Sequence, residues 1–78
     1  MSKITRLTVT QNGIPVPNAE LITSLYSTKL YTNEDGYIQA NLDDDFAQAV
    51  DIDVIVNGVS LARASISFEA GGEYTISI

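Results

Sequence analysis

The side chains here that are able to do chemistry are ten carboxylates, four cations, four tyrosines and a scatter of serines and threonines, with no histidine and no cysteine. Without histidine, no serine has the usual neutral-pH base to activate it. Without cysteine there is no thiolate to act as nucleophile or metal ligand, and no disulfide to staple the fold. Asp51 and Asp53 stand two residues apart and project from one strand face. A working acid/base pair needs surroundings that drive its two pKa values apart, and a solvated strand face treats both carboxylates alike. These residues point away from an enzyme, and no cofactor is expected.

Two stretches invite a cation. Across Tyr31–Leu42, Asn33, Asp35 and Gly36 fall where a calcium loop wants its third and fifth ligands and its glycine, but Tyr31 and Leu42 occupy the positions that need a first ligand and a bidentate carboxylate. A turn explains the same residues with less. Asp43-Asp44-Asp45 is the better candidate, since a hard cation relieves the repulsion among adjacent carboxylates. A solvated acidic loop remains the simpler explanation, and the expectation is no metal.

The aromatic residues suggest a contact surface. Tyr37 is expected to face outward, Tyr31 to lie beside it, and Tyr26 to share a face with Ile22. Exposed tyrosines offer contact area at low entropic cost. Phe46, the one large apolar residue in its loop, is expected either to plug the end of the fold or to anchor a partner. Net charge is −6, and Lys3, Arg6, Lys29 and Arg63 are scattered, so the basic footprint that nucleic acid or an anionic membrane requires is missing.

The elements that must position these groups follow from hydropathy period. In 78 residues the dominant period is two, as in half-buried strands. Residues 4–10 alternate with Leu7 and Val9 on one face, and Gln11-Asn12-Gly13 turns the chain. Pro15 and Pro17 keep residues 14–18 out of any central strand, so this stretch is expected to cross over along the rim. Residues 19–26 alternate next. Residues 29–32 and 37–42 flank Asn33-Glu34-Asp35-Gly36, which has the composition of a hairpin connection. Asp43-Asp44-Asp45 followed by Phe-Ala-Gln-Ala suggests a capped helical turn. Residues 50–56 form the clearest strand, Asn57-Gly58 is a type I′ hairpin signal, and residues 59–68 and 73–78 complete the set. About seven short strands at hairpin spacing, within one domain over residues 1–78, point to an all-β antiparallel sandwich. The first and last strands, close to the chain ends, are candidates for open edges that pair with a second copy or another protein.

One conflict in the pattern is informative. A strict two-residue turn at Asn57-Gly58 sets Arg63 opposite Ile52 and aims a lone cation at the core, where it is costly. Ala62, Ala64, Ile66 and Phe68 nevertheless form an apolar row of the opposite parity. A β-bulge near Leu61-Ala62 reconciles the two and turns Arg63 outward toward Asp51 and Asp53.

Residues 8–42 also resemble a known family. The pattern Gly-x-Pro-Val-Pro-Asn-Ala (Gly13–Ala19), a strand, then Thr-Asn-Glu-Asp-Gly-Tyr-Ile (Thr32–Ile38) is similar to that of the carboxypeptidase-regulatory-like, transthyretin-like domains and the related Cna-B and bacterial Ig-like modules. Asn33 and Ile38 depart from the usual Asp and aromatic residue of the second motif. The resemblance implies a seven-stranded Ig-like sandwich that serves as an accessory in peptidases, adhesins, outer-membrane proteins or phage virions. Cna-B modules often carry a Lys–Asn isopeptide bond. Lys3 could supply the amine, but Glu73–Ile78 has no Asn or Asp acceptor, so the bond is not expected.

The expected function is thus a non-catalytic structural or interaction module with a protein partner or self-association, in its most specific form a phage virion decoration or spike component. The alternative is a carbohydrate- or surface-binding accessory domain of a secreted bacterial enzyme or adhesin, with Tyr26, Tyr31 and Tyr37 as a stacking platform. No signal segment or membrane-spanning apolar run is visible, which fits a virion or cytoplasmic protein if the chain is whole and an extracellular one if it is excised.

Overall fold

The computed structural model describes residues 2–25 and 27–78. Eight strands and no helix occur among them: β1 (Ser2–Gln11), β2 (Ile14–Pro15), β3 (Glu20–Thr23), β4 (Leu30–Tyr31), β5 (Tyr37–Asp43), β6 (Ala47–Val56), β7 (Val59–Glu69) and β8 (Glu73–Ser77). They form two sheets. In the first, β1 is central, antiparallel to β2 and β5 and parallel to β8. The second runs β4-β3-β6-β7, antiparallel throughout.

Backbone direction explains how β1 serves three partners. The N–H of Val9 donates to Gly36 and its carbonyl accepts from Val16, whereas the N–H of Arg6 donates to Gly72 and the carbonyl of Thr10 accepts from Ile78. Odd residues of β1 therefore bond toward β5 and β2, and even residues bond toward β8. This also explains why Pro15 is tolerated in β2. Its partner Thr10 turns its backbone the other way, so the missing N–H of Pro15 is not needed there.

The core lies between the sheets. Leu7, Val9 and Ile76 from the first sheet meet Leu21, Val50, Ile52, Val54 and Phe68 from the second, with Ala19 entering where the rim crossover ends. All come from the alternate positions that the sequence period marks as inward. The crossover is held by Thr32, whose buried hydroxyl donates to the Val16 carbonyl at 2.7 Å and accepts from the Ala19 N–H at 2.8 Å.

The bulge lies where the parity conflict places it. Val54 pairs with Ala62 and Ile55 with Ser60, leaving Leu61 as the extra residue. Arg63 then lies opposite Asp53 on the outer face, and its Nε is 3.0 Å from the carboxylate. Asn57 and Gly58 both take positive φ, 53° and 79°, as a type I′ turn requires.

Five expectations need correction. The Asn33–Gly36 segment is not a hairpin connection, because β4 and β5 belong to different sheets and the turn carries the chain between them. The Asp43–Phe46 segment is not a helical turn. It is a tight turn closed by the Phe46 N–H donating to the Asp43 carbonyl at 2.8 Å, after which β6 starts at once. The ladder is not antiparallel throughout, since the last strand joins β1 in parallel. Finally, β1 is a central strand rather than an edge, and the strand count rises to eight because Ile14–Pro15 pairs briefly with the end of β1.

Candidate functional site

The inter-sheet turn decides where the tyrosines go. Asn33 organises it: its side-chain carbonyl accepts from the N–H groups of Asp35 and Tyr37, its own N–H donates to the Tyr37 carbonyl, and its backbone carbonyl accepts from Gly36. Gly36 is required on two counts. Its φ is +77°, and a Cβ would lie 2.7 Å from the Pro15 Cβ and 2.8 Å from the Val16 nitrogen. The close backbone approach seats the turn against the proline crossover.

The turn thus brings Tyr31, the last residue of β4, and Tyr37, the first of β5, to one corner of the molecule. They line a shallow depression of about 320 Å³ together with Leu30, Ile38, Asn33 and Gln39. Tyr31 is 58% exposed, and its hydroxyl donates to Glu20 at 3.2 Å. Lys29 reaches the same Glu20 oxygen at 3.6 Å. Tyr37 is half-buried, and the Arg6 guanidinium lies 4.4 Å from its ring centre. That stack follows from register, since Arg6 pairs with Gln39 and the even-numbered Arg6 and odd-numbered Tyr37 share the outer face as diagonal neighbours. Arg6 and Glu20 are the corner residues that sequence reasoning missed. No local signal marks them, because they arrive from strands distant along the chain. Tyr26 lies outside the described residues.

The remaining candidates do not join this corner. Phe46 packs half-buried against the core at the opposite turn, and its carbonyl accepts from Ala70, which ties the β5–β6 turn to the β7–β8 turn. That position fits the plug rather than the anchor. Asp43, Asp44 and Asp45 are all exposed along that turn, and among the described residues no three acidic groups converge well enough to hold a metal ion. Asp53 is engaged by Arg63, and Asp51 exchanges backbone and hydroxyl hydrogen bonds with Ser24. Lys3 is exposed and runs along Gly71, where a Cβ would lie 3.3 Å from its Cδ. Tyr74 is structural: its ring tilts against Phe68 at 4.9 Å and its hydroxyl accepts from the Glu69 N–H.

A scan against protein-family models finds no match, and a search of the curated proteins finds no significant similarity, so the geometry carries the functional conclusion.

Proposed function

We propose that the chain is a non-catalytic structural or interaction module, an Ig-like sandwich of the transthyretin-like kind, that contacts a protein through the Tyr31–Tyr37 corner. The corner itself is the supporting observation. Two tyrosines, one of them exposed, flank a shallow depression beside half-buried Leu30 and Ile38, with an arginine stacked at its edge. Aromatic residues with arginine are the composition favoured at protein contacts. Kinship with the transthyretin-like modules is supported by the places its two motifs occupy: Gly13–Ala19 forms the rim crossover, and Thr32–Ile38 spans the inter-sheet turn seated on it. A virion decoration or spike component is the specific form proposed.

Carbohydrate binding is the second possibility, and the corner favours it less. A sugar platform needs open aromatic faces, and Arg6 already covers one face of Tyr37, leaving Tyr31 as the open ring of this corner among the described residues. Titrating the ¹⁵N-labelled chain with soluble oligosaccharides of glucose, galactose and N-acetylglucosamine separates the two. Unchanged Tyr31 and Tyr37 amides are expected, and saturable shifts there would transfer the assignment to carbohydrate. The flanking genes give an independent check. Capsid and tail genes support the virion form, and a peptidase or signal-bearing reading frame contradicts it.

A further inference from the structure

We infer that the β7 edge pairs with β7 of a second copy of this chain, antiparallel about a two-fold axis at Ile66. This goes beyond the proposed function and uses a surface separate from the tyrosine corner.

β7 is an outermost strand, eleven residues long, with β6 on one side only. The direction of its free groups follows from β6. The Asp51 carbonyl accepts from Ser24, so the backbone of Asp51 faces β3 and its pairing with Ser65 is a non-hydrogen-bonded one. By alternation, the N–H and C=O groups of Arg63, Ser65 and Ser67 all point away from β6. Among the described residues no other backbone bonds to them. A row of unmet donors and acceptors is a template for another strand. The devices that usually blunt such an edge are weak here. The bulge at Leu61 bends only the turn end, no proline interrupts the strand, and Arg63 is its one cation, lying toward Asp53 on the outer face.

The sequence of β7 selects the register and the partner. With the axis at Ile66, Ser65 of one copy lies opposite Ser67 of the other, and their outward backbone groups meet. The same register sets Arg63 opposite Glu69 twice over, so each copy offers the cation that the other lacks. Glu69 is exposed and forms no ion pair among the described residues, and the Arg63 side chain is 79% exposed. On the inner face Ile66 meets Ile66 and Ala64 meets Phe68, which extends a row that is only partly covered at Ala62, Ala64 and Ile66. Such an interface is isologous, as two-fold dimers require.

The test is the solution mass of the full chain by sedimentation equilibrium from low micromolar to millimolar concentration, with folding followed by circular dichroism. The mass is expected to rise from 8.4 kDa toward twice that value. Glu69→Arg is expected to abolish the rise by setting like charges opposite each other, and the double change Arg63→Glu with Glu69→Arg to restore it. Ser65→Pro removes an outward N–H without touching the β6 ladder and is expected to give a folded monomer. A chain that stays monomeric at millimolar concentration overturns the inference, as does a dimer indifferent to Glu69→Arg and Ser65→Pro. Neither result bears on the tyrosine corner, which the oligosaccharide titration tests separately.

Discussion

Replacing Thr32 by valine is expected to cost far more than its single-atom change in shape suggests. Thr32 is 2% exposed, and its hydroxyl satisfies two backbone groups of the crossover, the Val16 carbonyl and the Ala19 N–H. Ala19 is fully buried, so its N–H has no access to water once the hydroxyl is gone. A buried group stripped of its partner costs about 1–3 kcal/mol, and Val16, half-buried, recovers part of its share from solvent, which gives a loss of about 2–4 kcal/mol. For 78 residues the whole stability is about 4–12 kcal/mol, so this one hydroxyl carries a large fraction of it. The midpoint of thermal unfolding is expected to fall by about 10–25 °C. Thr32→Ser is the control. It keeps the hydroxyl and loses one methyl, costing about 1 kcal/mol. Urea titration of both variants by far-ultraviolet circular dichroism measures the difference. If Thr32→Val lies within about 0.5 kcal/mol of the parent, or matches Thr32→Ser, then the hydroxyl does not hold the crossover.

Other perturbations rank by the same logic. Gly36→Ala is expected to destabilise beyond the roughly 1–2 kcal/mol of an unfavourable φ, because its Cβ collides with Pro15 and Val16, whereas Gly13→Ala, at φ +79° with nothing within 4 Å, shows the φ penalty alone; paired urea midpoints compare them. Ile52→Ala, at a fully buried site, is expected to cost about 2–5 kcal/mol in the same titration. Arg63→Ala breaks an ion pair whose cation is largely exposed, so the monomer's unfolding free energy in the same titration is expected to change by less than about 1 kcal/mol.

The sequence carried the local features of this fold better than its connections. The alternation in β6 and β7 had two apolar rows of opposite parity, and only a bulge reconciles them, so Arg63 beside Asp53 was legible before any coordinates. The rim crossover was legible from its prolines, because a missing N–H restricts where a chain can pair. The turn at Asn33–Gly36 was not. Its composition suits a hairpin and an inter-sheet turn equally, and what decides between them is the approach of Gly36 to Pro15, a contact between distant parts of the chain. The parallel pairing of β8 with β1 leaves no local trace either, since the period of a strand is the same in both directions. At the corner, the outward direction of Tyr37 followed from parity, whereas the stack of Arg6 on it depends on the register between β1 and β5.

The central claim is a sandwich in which β1 is paired on both flanks and its outer edges are left free for contact. Amide hydrogen exchange of the dilute chain tests this most directly. Strong protection is expected along β1 at odd and even residues alike, from Thr5 to Val9, with rapid exchange at Arg63, Ser65 and Ser67. Rapid exchange at every second residue of β1, or uniform protection along β7 at that dilution, would contradict it.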